Sequence, residues 1–130
     1  MILALRTDKP LAELSLLDDE KEIARHEWEA HRQLAATVVG KIQTFLYDNN
    51  TSTDKLKGII VFTGSGSFTG LRIGATVANA IAYSHNIAVV AGEGESWIES
   101  GLEKLKTTKS GKYVIPTYDR EPNIAKPKGA

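Results

Sequence analysis

Most of the chemistry this chain can offer lies in one stretch, Gly64-Ser65-Gly66-Ser67-Phe68-Thr69-Gly70-Leu71-Arg72-Ile73-Gly74. It follows a continuous apolar run and opens a helical pattern, the place where backbone N–H groups and the helix dipole favour an anion. One reading is a phosphate cradle built on Gly64, Gly66, Ser67 and Thr69. The other is a tight turn in which Gly64 and Gly66 take positive φ while Ser67 or Thr69 caps the next helix. The glycines run G-x-G-x-x-x-G and no Gly-Lys-Ser/Thr follows, so neither standard nucleotide fingerprint is matched and the turn is favoured.

Other chemistries lack their residues. A two-metal nuclease needs carboxylates converging from strand ends, and Arg6, Thr63 and Ala91 hold those positions. Gly64-Ser65-Gly66 has no partner histidine placed to make a nucleophile elbow. His26, His31 and His85 are scattered without zinc-ligand spacing, and there is no cysteine. The expected catalytic and metal sets are therefore empty, and no cofactor is expected.

The elements that must position this stretch are legible in the pattern. Ile2 to Thr7, Leu11 to Leu17 and Glu22 to Trp28 read as a three-strand meander, broken at Asp8-Lys9-Pro10 and at Asp18-Asp19-Glu20. In the second strand, Leu14 and Leu16 mark one apolar face. Ala30 to Tyr47 switches to helical periodicity through Leu34, Ala35, Val38, Val39, Ile42, Phe45 and Leu46, with His31 on the same arc. Gly58 to Thr63 and Ile87 to Ala91 read as buried strands, Thr69 to His85 and Ser96 to Leu105 as helices, and Tyr113 to Tyr118 as an edge strand. A meander followed by crossover units gives a mixed α/β sheet with helices on its faces, the order of the ribonuclease H-like and actin-like fold. One domain is expected over residues 1–118, with 119–130 an extended or disordered arm.

Composition sets outer bounds. The 130 residues are 42% hydrophobic and 25% charged, which is ordinary globular composition. Sixteen basic residues balance sixteen acidic ones, so no broad polyanion surface is expected. From Asp8 to Glu29 there are eight acids and three bases, whereas Glu103 to Ala130 holds seven bases and three acids. The tail keeps an indirect nucleic-acid contact open. No run is long enough to span a bilayer, and the absence of cysteine fits a cytoplasmic protein.

The helix after the glycine stretch repeats small residues at Gly70, Gly74, Ala78 and Ala82, flanked by Leu71, Ile73, Val77 and Ile81, with Arg72, Thr76, Asn79 and Tyr83 as its polar arc. A helix apolar over most of its circumference needs cover on more than one side. Either the Ala30 to Tyr47 helix supplies that cover, or both helices also meet a partner. The partner reading assigns His31, Leu34, Val38, Ile42, Gly70, Gly74, Val77, Ala78, Ile81 and Ala82 to the interface.

Gly64 to Gly74 resembles the GPGSFTGLRIG signature of the TsaB (YeaZ) family, with Ser65 in place of the usual proline. The resemblance continues through Ala75 to Tyr83 and Asn86-Ile87 and runs from Ile59 to Glu95, and the first strand and the His31 to Leu46 helix are similar more loosely. Tyr118, Arg120, Pro122 and Ile124 are similar to the family's C-terminal end. The resemblance implies a non-catalytic subunit that pairs through first-lobe helices with TsaD, the enzyme that forms threonylcarbamoyladenosine at tRNA position 37. It also implies a larger complex with the ATPase TsaE, tRNA contacted only indirectly, and ATP only at a shared interface. Against the family's two lobes, this chain resembles a reduced form holding the first lobe and the terminal arm. Where the family's first strand ends Asp-Thr-Ser, this one reads Arg6-Thr7-Asp8, which places a cation where a carboxylate could hold metal-bound water. The chain alone is left open between a monomer and a homodimer, and the alternative function is a stand-alone actin-like nucleotide-binding protein.

Overall fold

The structure, a computed structural model, describes residues 1–115 of the 130. Its elements are β1 (Ile2–Arg6), β2 (Leu11–Asp18), β3 (Lys21–Glu29), α1 (Leu34–Asp48), β4 (Gly58–Phe62), α2 (Phe68–His85), β5 (Ala88–Gly92) and α3 (Trp97–Leu105). Turn chemistry at residues 8–10 and 18–20 forces the chain back on itself twice, so β1, β2 and β3 pair antiparallel. Asp19 sits at φ +59 in the second turn, a conformation that Asp tolerates better than most residues. The two crossovers then lay β4 and β5 parallel to β1, giving the order β3-β2-β1-β4-β5. This is the mixed sheet of the ribonuclease H-like and actin-like fold, as the element order implied.

The two faces of the sheet are covered unequally. Leu3, Leu5, Leu14, Leu16, Ile59 and Val61 pack under α1 and α2 with Val38, Ile42 and Ala78. Ala4, Leu17, Ile60, Phe62 and Val90 point the other way and meet Trp97 of α3. The simple alternation expected of β2 is thus replaced by burial on both faces, with Glu13 and Ser15 buried beside Leu17 on the second. Among the described residues, no helix extends over the β3 end of that face. Arg25 of β3 covers it instead, 2.7 Å from Glu13 and 3.2 Å from Glu27.

Two elements differ from the sequence reading by more than a residue. The helix expected from Ala30 starts at Leu34, because the amides of Ala30 and His31 both donate to the Pro10 carbonyl, at 2.8 and 3.4 Å, and turn the chain sharply. Residues His31–Gln33 form a 3-10 turn with His31 at φ +47. The expected edge strand does not form over residues 113–115, where the Asn79 side chain takes both backbone groups of Val114. The rest of that segment and the arm at 119–130 lie outside the described residues.

Candidate functional site

The glycine stretch forms the turn between β4 and α2. Gly64 and Gly66 have φ +139 and +140, which only glycine adopts readily, and Ser67 Oγ accepts from the Gly70 amide at 3.1 Å to cap α2. The turn is tied down from below: the Ser67 amide donates to the Asp8 carbonyl at 2.9 Å. A Cβ on Gly66 would lie 2.6 Å from that of Asp8, so the loop and the end of β1 are in close contact. Thr69 is exposed and borders a cleft of about 500 Å³ with Lys9, His31, Arg32 and Ser67.

Beneath this loop lies a pair that the sequence reading did not connect. Arg6 Nε is 2.8 Å from Asp8 Oδ1, and Nη2 donates to Oδ2 at 3.1 Å, a two-pronged charge-assisted contact. The Asp8 side chain is only 4% exposed. The guanidinium carbon rests 3.9 Å from the centre of the Phe62 ring. Opposite charges two apart at a strand end are the signal that could have found the pair, since such residues share a face. Thr7 between them is buried and donates its hydroxyl to the Gly70 carbonyl at 2.7 Å.

The ten residues assigned to a partner surface divide by depth. Leu34, Val38, Ile42, Ala78 and Ala82 are buried in the chain's own core, and Val77 and Ile81 are half-buried against it. Gly70 and Gly74 face Thr7, so the small-residue row lets α2 approach the sheet. His31 is not on the apolar arc of α1. Its left-handed turn puts the ring outside, 3.6 Å from Glu29. What the helices leave open is a neighbouring strip: Ala35, Arg72, Ile73, Thr76 and Val77 line a groove of about 350 Å³, and Val39 is 50% exposed. Asn79, expected on the polar arc, instead holds Val114.

Among the described residues, no group of three His, Asp or Glu side chains is arranged to hold a metal ion, and no helix is long and apolar enough to cross a membrane.

The family model "TsaD: tRNA N6-adenosine threonylcarbamoyltransferase" matches residues 28–92, half of the chain. The tRNA threonylcarbamoyladenosine biosynthesis protein TsaB of Bacillus subtilis is 30% identical over 90 residues, covering 69% of this chain and 39% of that protein. The chain belongs to the TsaD/TsaB family. Within it, the likeness is to TsaB (YeaZ). YeaZ from Pseudomonas aeruginosa superposes with a TM-score of 0.65 at 24% identity, over 71% of this chain and 43% of that one. A second solved structure, an uncharacterized protein with similarity to peptidase YeaZ from Pseudomonas aeruginosa, gives 0.66 and 24%, over 71% and 42%. These likenesses carry the fold. The chain spans about two fifths of the length of each of these TsaB-like relatives.

Proposed function

We propose that this chain is a non-catalytic accessory subunit that binds and supports a TsaD-like enzyme in threonylcarbamoyladenosine modification of tRNA. In this reading it forms a heterodimer with the TsaD-like protein, within a larger cytoplasmic complex that includes a TsaE-like ATPase. It contacts tRNA only indirectly, and any ATP is held at a surface the partner completes. The observation that carries the reading is the open strip along α1 and α2, where Ala35, Ile73, Thr76 and Val77 edge a groove and Val39, one helical turn on from Ala35 in α1, is half exposed. Ala35, Ile73 and Val77 give it an apolar part and Thr69, Thr76 and Arg72 a polar edge, the mixed composition of a non-obligate interface. The Arg6–Asp8 pair weighs against the stand-alone nucleotide-binding alternative, because it occupies the end of β1.

The test is co-expression of the chain with the TsaD-like protein of the same organism, followed by size-exclusion chromatography and titration. Val39→Glu and Thr76→Glu change exposed positions and should leave melting unaltered. Each is expected to weaken association by about tenfold or more, the equivalent of roughly 1.4 kcal/mol. Undiminished assembly by both variants would place the contact elsewhere.

A further inference from the structure

In an open sheet whose connections run left and then right from one strand, ligands bind in the crevice beyond the carboxyl ends at that reversal. Here the reversal lies between β1 and β4. A metal-bound nucleotide there would need a carboxylate with free oxygens and open space under the loop. The residues present do not fit that group. Both Asp8 oxygens are engaged by Arg6, the carboxylate is 4% exposed, and the Thr7 hydroxyl is spent on Gly70. Gly66 packs against Asp8, and the Ser67 amide is bonded to the Asp8 carbonyl. Phe62 closes the other side of the guanidinium.

We propose that the Arg6–Asp8 pair is a lock that closes the chain's own ligand crevice and pins the glycine loop, with Arg6 supplying from within the positive charge that a cation would otherwise bring. The lock goes beyond subunit assembly and needs no partner, so it is tested on the chain alone. A carboxylate left without its guanidinium is a buried, unpaired charge, so removing Arg6 costs far more than removing both members.

The experiment compares the parent with Arg6→Ser, Asp8→Asn and the double variant, by thermal melting in MgCl₂, in MgCl₂ with ADP, and in KCl of matched ionic strength. The parent should be indifferent to all three beyond the KCl effect. Arg6→Ser should melt on the order of 10 °C lower, should exchange the Ser67 amide faster, and should recover part of the loss in MgCl₂. The double variant should melt higher than Arg6→Ser and ignore magnesium. Stabilisation of the parent by magnesium with ADP would overturn the proposal, as would an Arg6→Ser variant that melts like the parent or does not respond to magnesium. Should Arg6→Ser fail to fold in every condition, the double variant decides: folded with a fast-exchanging Ser67 amide, it supports the lock, and unfolded, it refutes it.

Discussion

At the scale of single residues, Thr7 fixes how closely α2 can lie on the sheet. An added methyl on Gly70 would run into the Thr7 carbonyl, and one on Gly74 into the Thr7 hydroxyl. Because the first obstacle is backbone, Gly70→Ala should cost about 1–3 kcal/mol as overpacking, a melting shift of roughly 5–15 °C. Gly40 is the matched control. It lies inside α1 with nothing within 4 Å of the added atom, so Gly40→Ala should raise stability by roughly 0.5–1 kcal/mol through helix propensity. Differential scanning calorimetry of the two variants reads both signs, and equal shifts would mean that the close approach does not exist. Local backbone chemistry of this kind was legible in the sequence. The positive φ at Gly64 and Gly66 and the Ser67 cap follow from short-range sterics. The partner of Asp8 was not read, because the residue was assigned to a turn, and the turn proved to end in an ion pair.

Elements were legible where periodicity is sustained and became uncertain where a distant contact decides the boundary. α2 runs from Phe68 to His85, one residue from the expected start, and ends at Asn86 in the left-handed conformation that terminates helices. α1 lost its first turn because Pro10, twenty residues upstream of Ala30, captures two amides. Hydrophobic spacing also identifies an apolar face without naming what covers it, and so the sheet-facing Leu34, Val38 and Ile42 could be assigned to a partner. The Asn79–Val114 link has no sequence signature, since an Asn on the polar arc of a helix ordinarily faces water. Its energetic weight is testable. Asn79→Ala leaves one backbone donor and one acceptor partly buried and unpaired, at about 1–3 kcal/mol. Hydrogen exchange should accelerate at the Val114 amide and stay unchanged in the middle of α2. Protection at Val114 that survives the substitution would show that packing alone holds the segment.

For the molecule as a whole, inner and outer positions of the two-helix layer should respond to substitution in opposite ways. Ala78 is fully buried between α2 and the sheet, so Ala78→Leu should lower stability by about 1–3 kcal/mol whether or not a partner is present. Val39→Glu should leave the melting temperature within the range of about 0.5 kcal/mol typical of surface changes and act only on assembly. Melting each variant with and without the TsaD-like protein separates the two effects. The sheet order carries a consequence of a different kind, in time. The central strand precedes the other four in chain order, and its second neighbour arrives only when Ile2 meets Gly58. Until that loop closes, β1 has one open edge and both faces of the meander lack most of their cover, so the three-strand unit should not persist by itself. Refolding should therefore be a single event on the millisecond-to-second scale expected for non-local pairing. Trp28, packed under α1, and Trp97, on the opposite face against Phe62, report the two halves. Stopped-flow fluorescence of the Trp28→Phe and Trp97→Phe variants should give one shared rate. A Trp28 signal that runs ahead would mean that the meander forms before its central strand has been completed.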